Sequence, residues 1–314
     1  MKGVRPRLAY VYSDKVLSYD FGPSHALKSI RLKLTYELSR AKGLFDDHNI
    51  AVVPPRVATD EEIKLFHTPE YIDFVRKLSK VGHGLLDYGD TPAFKGVYEA
   101  SATVVGASLD VVDAVMNGRA DHGINISGGL HHAHEDRASG FCVFNDPAVS
   151  IAYLKRKYRL ERIMYLDIDA HHGDGVMFGF YADPAILDVD FHEDGRYLFP
   201  GSGFTFETGE KEGEGFKVNV PVPPQTGDEP YLSSFREIVP TLVRVFRPEF
   251  ILVQCGADSH MEDLLAHLLL TTKSYEEIVL TMHKLAHEVC SGRMVAFGGG
   301  GYNPANVARC WTVV

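Results

Sequence analysis

The sequence predicts an α/β fold: a single domain, residues 1–314, with an open, mainly parallel sheet flanked by helices on both faces. Three observations predict it. From Gly123 onward, short strand-like runs alternate with helical runs. The long run Gly96–Met116, rich in Ala and Val, is apolar enough to be a helix packed on a sheet face. The loops that follow the strand-like runs carry glycine, histidine and aspartate, the composition of a site at the carboxyl edge of such a sheet.

Taken in order, Leu8–Tyr12 reads as a first strand, and Gly22-Pro23-Ser24-His25 breaks the chain. Ile30, Leu34 and Leu38 give 30–44 a helical period, with Arg31 in the first turn, where a lone arginine reads as a solvated charge. Ala58-Thr59-Asp60-Glu61-Glu62 is a helix start and Pro69–Ser79 a second short helix. A glycine- and aspartate-bearing loop, Gly82–Thr91, precedes a long helix rich in Ala and Val over Gly96–Met116. Strands are predicted over Gly123–Ser127, Arg162–Asp169, Ala185–His192, Val218–Val222, Phe250–Cys255 and Met294–Phe297. Helices are predicted over Pro147–Tyr158, Gly173–Phe180, Tyr231–Phe246 and Ser274–Cys290, with another from Pro304. The long loop Glu193–Gly215 reads as functional because structureless loops beyond about 12–15 residues are uncommon in compact domains. The apolar, uncapped run at Val314 reads as a chain lacking its C-terminal segment.

Composition narrows the function classes. Hydrophobic residues at 45% and charged residues at 24% describe a globular, water-soluble chain, and no apolar run reaches the roughly 20 residues of a membrane span. With no apolar leader after Met1-Lys2-Gly3-Val4-Arg5-Pro6-Arg7, the expected location is the cytoplasm, without a membrane partner. A net charge of -10 argues against direct nucleic-acid binding and is compatible with a cationic substrate. Cys142, Cys255, Cys290 and Cys310 lack paired spacing and read as buried thiols.

The chemistry is concentrated in Tyr165-Leu166-Asp167-Ile168-Asp169-Ala170-His171-His172-Gly173-Asp174-Gly175. Asp167, Asp169 and His171 alternate onto one face at a strand end, and such buried carboxylates call for a cation among them. Three other strand ends add Gly128-Gly129-Leu130-His131-His132, Gln254-Cys255-Gly256-Ala257-Asp258 and Gly298-Gly299-Gly300-Gly301-Tyr302. Adjacent histidines in a glycine-flanked loop suit acid/base work, and the glycine run lacks the Lys-Ser/Thr of a phosphate loop.

Together with Phe66-His67-Thr68-Pro69-Glu70-Tyr71 and Gly301-Tyr302-Asn303-Pro304, this set resembles the histone deacetylase superfamily, and within it the bacterial and archaeal acetoin-utilisation (AcuC-like) type. The resemblance implies an arginase- and deacetylase-like fold and a zinc-dependent hydrolase that removes acetyl from N-acetyl-lysine, releasing acetate. It makes Asp169, His171 and Asp258 the zinc ligands, leaving open positions for a water and the substrate carbonyl; the oxygen-rich set would also suit Fe(II). It pairs His131 with Asp167 and His132 with Asp174 as the catalytic acid/base groups and gives Tyr302 the oxyanion. In this reading His132 takes the water's proton and His131 supports it electrostatically. Phe141 and Phe199, with Gly140, match walls around the lysine stem, Asp90 a rim aspartate and Arg31 an internal acetate channel. A structural potassium ion is implied at Asp167, Asp169, His171, Asp190 and Phe191, although the family commonly has a small hydroxyl residue at position 190. Other expected functions are a deacetylase of small acetylated amines such as acetylpolyamines, and an inactive binding module. An arginase-like two-metal enzyme fits poorly, because His131 and His132 stand where extra carboxylates would be needed.

Overall fold

A computed structural model describes residues 7–314; Met1–Pro6, the start read for a leader, lie outside the described residues. Among those described, eight strands form one all-parallel sheet. They are β1 (Leu8–Val11), β2 (Ile50–Val53), β3 (His122–Asn125), β4 (Ile163–Asp167), β5 (Ile186–Glu193), β6 (Lys217–Val222), β7 (Phe250–Gln254) and β8 (Met294–Phe297). Their order across the sheet is β2-β1-β3-β8-β7-β4-β5-β6. The last two strands of the chain are thus inserted between β3 and β4 at the centre.

Helices cover both faces: α1 (Ile30–Ala41), α2 (Asp60–Ile63), α3 (Pro69–Val81), α4 (Val97–Met116), α5 (Asp146–Tyr158), α6 (Asp174–Gly179), α7 (Asp228–Phe246), α8 (Thr272–Cys290) and α9 (Pro304–Val313). Strand alternation divides the core into two layers. Ala9, Val11, Tyr165, Leu252 and Val295 pack with Ile72 of α3, Val104 of α4 and Ile151 of α5. Tyr10, Met164, Leu166, Ile251 and Val253 pack with Leu32 of α1, Tyr231 of α7, Ile278 of α8 and Trp311 of α9. Local chemistry sets several helix starts. Thr59 forms a capping box with Glu62, Thr68 and Asn145 accept from the amides of Tyr71 and Ala148, and Pro69, Pro147 and Pro304 occupy the first turns. The four cysteines are buried free thiols, and no helix among the described residues is long and apolar enough to cross a membrane.

Two sequence expectations need correction. Ile50–Val53 is a strand that the sequence reading missed: it pairs only with β1, is partly exposed and ends at Pro54-Pro55. Its four residues carry no period that separates an edge strand from a loop. The strand expected to run through Asp169 ends at Asp167, so Asp169 and His171 lie in the following turn. Arg31, read from position alone as a solvated charge and from the resemblance as an internal residue, is 4% exposed.

One registered row crosses the carboxyl end of the sheet: Asn125, Phe297, Gln254, Asp167, Asp190 and Asn219 are successive partners. The functional loops leave from this row.

Gly106, in the middle of α4, lets another segment cross the helix: a Cβ there would stand 2.1 Å from the Arg56 carbonyl oxygen and 2.8 Å from the Ala58 nitrogen. Gly→Ala in an unobstructed helix interior stabilises by about 1 kcal/mol. Gly106→Ala is expected instead to destabilise by about 1–3 kcal/mol, through overpacking against backbone that has nowhere to move. Urea unfolding checks this, and a raised midpoint would contradict the crossing.

Candidate active site

The loops after β3, β8, β7 and β4, four neighbours at the sheet centre, converge on one buried cluster. The turn after β4 folds back through its own carboxylates: Asp167 Oδ1 accepts from the Asp169 amide at 3.0 Å, and Asp169 Oδ1 from the His171 amide at 3.0 Å. Asp258, after β7, is completely buried, and its Oδ1 accepts from the Ala170 amide at 2.9 Å. Asp169 and Asp258 meet at one imidazole: His171 Nδ1 lies 3.1 Å from Asp169 Oδ1 and 3.0 Å from Asp258 Oδ2. Ligand atoms of Asp169, His171 and Asp258 all lie within 4.8 Å of one another.

These donors fit a divalent metal. Against the cost of burial, hydrogen bonds to Asp169 and Asp258 raise the His171 pKa to about 10, so a proton on Nδ1 holds the two carboxylates together. Burial, then repulsion from Asp169, still pushes Asp258 up to about 7, the mark of negative charge in excess of its partners. Two carboxylate oxygens and one imidazole nitrogen make a three-donor set of the catalytic zinc type, with a position left for substrate. Glycine makes room for it: a Cβ on Gly300 would stand 1.9 Å from Asp258 Oδ2, and one on Gly256 2.1 Å from Asp169 Oδ2.

Two imidazoles flank this set. His131 Nδ1 donates to Asp167 Oδ2 at 2.7 Å, His132 Nδ1 donates to Asp174 Oδ1 at 2.7 Å, and the two Nε2 atoms are 3.1 Å apart. The pairs look alike but hold protons differently. For His131, burial is outweighed by Asp167 and Asp169, which raise its pKa to about 10. For His132, burial and the neighbouring His131 outweigh Asp174 and lower it to about 4. At neutral pH His131 is therefore the cation that donates its Nε2–H, and His132 carries the Nε2 lone pair.

Arg31, Gly140, Phe141 and Tyr302 join these residues around a narrow cavity of about 20 Å³, room for a single small occupant. Arg31 lies among the walls, its guanidinium donating to the Gly301 carbonyl at 3.0 Å and sitting 5.0 Å from the Trp311 ring centre. Tyr302 is buried, with its ring 5.8 Å from Phe141 and 6.2 Å from His171. Phe199 stacks edge-on against His132 at 5.0 Å. Gly140, at φ +52°, cannot carry a side chain, since its Cβ would meet His132 Cδ2 at 2.4 Å and Phe199 Cε1 at 2.9 Å. Outside, Asp90 lines a hollow of about 300 Å³ with Asp87, Arg137, Gly140 and Phe199. Burial and then Asp87 raise the Asp90 pKa to about 6. Asp190 sits beneath the cluster, accepting from Gly173 N at 2.7 Å and His192 Nδ1 at 2.6 Å, while Phe191 packs away from it against Tyr231 and Phe235.

Several supporting residues were not singled out from sequence. Gln254 Nε2 donates to Asp169 Oδ2 at 2.7 Å and to the Gly129 carbonyl at 3.2 Å, joining the metal set to the histidine loop. Asn145 Nδ2 donates to the carbonyls of His131 and Ala133, both at 2.9 Å. Asp146 accepts from the amides of Gly129 and Leu130. Asn145 also caps α5, and Asp146 is its first residue. Tyr165 donates to Asp167 at 2.7 Å, and His134 donates to Asp174 at 3.1 Å.

The central strand ends of an eight-stranded parallel sheet thus bring together two aspartates, a histidine and two His–Asp pairs. The family model for the histone deacetylase domain matches residues 25–314, and the chain belongs to that family. It is 42% identical over 315 residues to the acetoin utilization protein AcuC of Bacillus subtilis (strain 168), covering 96% of this chain and 80% of that one. It is also 42% identical over 319 residues to AcuC of Staphylococcus aureus (strain MRSA252), covering 98% and 80%. AcuC of Staphylococcus xylosus is 38% identical over 325 residues, covering 100% and 83%.

Because His171 is protonated below about pH 10 in the metal-free site and must be neutral to ligate, the first equivalent of Zn²⁺ is expected to release about one proton at pH 8. Calorimetric titrations in buffers of different ionisation enthalpy read this directly, and identical heats in every buffer would contradict it.

Proposed function

We propose that this deacetylase is a zinc-dependent amidohydrolase acting on Nε-acetyl-lysine of proteins and releasing acetate. The observation that carries the reading is two adjoining His–Asp pairs, their Nε2 atoms 3.1 Å apart, beside a three-donor metal set. Asp169, His171 and Asp258 would hold the metal; Zn²⁺ leads, and Fe²⁺ suits the same oxygen-rich donors. When bound, the metal supplies a Lewis acid for the acetyl carbonyl and for a hydrolytic water.

The chain's own groups do the rest. His132, neutral and oriented by Asp174, takes the proton of the attacking water. His131, held cationic by Asp167, stabilises the charge that develops and then protonates the departing lysine amine. The phenol of Tyr302, kept protonated by burial and by Asp258 and Asp169, donates to the oxyanion. Phe141 and Phe199 flank the aliphatic stem, Gly140 lets them close on His132, and Asp90 accepts from the substrate backbone at the rim. Arg31, buried and cationic, receives the acetate. A structural potassium ion on backbone oxygens of Asp167, Asp169, His171, Asp190 and Phe191 belongs to the same proposal, with His192 offsetting the charge of Asp190.

The relatives are named for acetoin utilisation, and we place this chain in acetoin or acetate metabolism in the cytoplasm, acting without nucleic acid or membrane. A second reading rests on the paired carboxylates Asp87 and Asp90 at the mouth, which would favour a cationic small amine such as an acetylpolyamine. Rates on an acetyl-lysine peptide and an acetylpolyamine, with and without a zinc chelator, decide between them: faster peptide turnover, abolished by the chelator, is expected. His132→Ala is expected to lower the peptide rate by about 10²–10⁴-fold and Tyr302→Phe by about 10²–10³-fold. A rate within a few-fold of the parent in either variant would refute the assigned roles.

A further inference from the structure

At the opposite edge of the sheet, three histidines meet. His122 is the first residue of β3, the strand whose other end leads to His131 and His132. His283 and His287 lie one turn apart on α8, a spacing that puts both imidazoles on one face. The rings pack at centroid distances of 4.7 Å (His122 with His283), 5.1 Å (His122 with His287) and 4.7 Å (His283 with His287).

The nitrogens, and not only the rings, converge. A donor atom from each histidine lies within 4.8 Å of the other two. His122 Nε2 is 3.2 Å from His287 Nε2. Two nitrogens bound tetrahedrally to one Zn²⁺ at about 2.0–2.1 Å stand about 3.3 Å apart, so this pair is already at ligand spacing. His122 Nδ1 is buried and without a hydrogen-bond partner, an orphan that aromatic packing alone does not explain. The site is also open: His287 is exposed, and a hollow of about 250 Å³ beside it is lined by His122 and His283 with Leu8, Val279, Leu280 and Val313.

We infer that His122, His283 and His287 form a second site for a divalent transition metal of the zinc, copper or nickel class, separate from the candidate active site. Three imidazoles with no carboxylate among them select such ions over calcium or magnesium, which require oxygen ligands. The charged side chains that act on His122 and His283 are the cations Arg7 and Lys284, which add no ligand. A metal here would tie the start of β3 to the last turns of α8, a positioning role for the strand that carries the histidine pair.

Metal content of the full chain after equilibrium dialysis against Zn²⁺ tests this independently of the deacetylase reading. Wild type is expected to hold two Zn²⁺, His283→Gln/His287→Gln one, and Asp258→Asn the other one, whatever the activity of the last variant. His287→Gln alone, at an exposed position, is expected to weaken the second of two Co²⁺ ions taken up by metal-free enzyme at least tenfold, read by visible absorption. Equal metal content in wild type and the double variant, or an unchanged second Co²⁺ affinity in His287→Gln, would overturn the inference.

Discussion

The structure depends on how negative charge is kept inside a dry sheet end. Asp167, Asp169, Asp174, Asp190 and Asp258 are all buried, and an unpaired carboxylate there costs several kcal/mol. Four imidazoles answer them: His131 serves Asp167, His132 serves Asp174, His192 serves Asp190, and His171 is shared by Asp169 and Asp258. The shared pair is where the balance is incomplete. A divalent cation in place of the His171 proton would complete it, which would join the stability of the sheet end to the chemistry proposed for it.

Topology explains why residues from so many parts of the chain can share that balance. Had β7 and β8 been added at an edge, Asp258 and Tyr302 would lie far from Asp169. Their insertion between β3 and β4 aligns Asn125, Phe297, Gln254 and Asp167 in one row and lets four neighbouring loops rise from it. Gln254 then bridges two of these loops through single side-chain hydrogen bonds. Glycines 140, 256 and 300 admit groups at distances that any Cβ would block.

Much of this was legible in the sequence, because groups next to one another in the chain carry it. The alternating strand and helix runs gave the parallel sheet, the Asp-x-Asp-x-His alternation marked a cation site, and His131-His132 marked acid/base chemistry. What escaped depends on distant contacts or weak local signals. From position alone Arg31 reads as an ordinary helix-start charge; only the family resemblance put it inside, where it meets Gly301 and Trp311. Asn145 and Asp146 satisfy a helix start so well that their second task, holding the histidine loop, leaves no sequence trace. His122 is separated from His283 by about half of the chain, so the three-histidine cluster exists only in the fold.

The central claim is that a divalent cation neutralises the excess charge on Asp169 and Asp258. It is tested most directly by the urea unfolding midpoint of the metal-free chain with and without Zn²⁺, in His283→Gln/His287→Gln to exclude the other cluster. A ligand at about 100 times its Kd stabilises by about 2.7 kcal/mol. The account predicts a gain of at least that size, lost in the added Asp258→Asn variant; an unchanged midpoint, or a gain that survives Asp258→Asn, would contradict it.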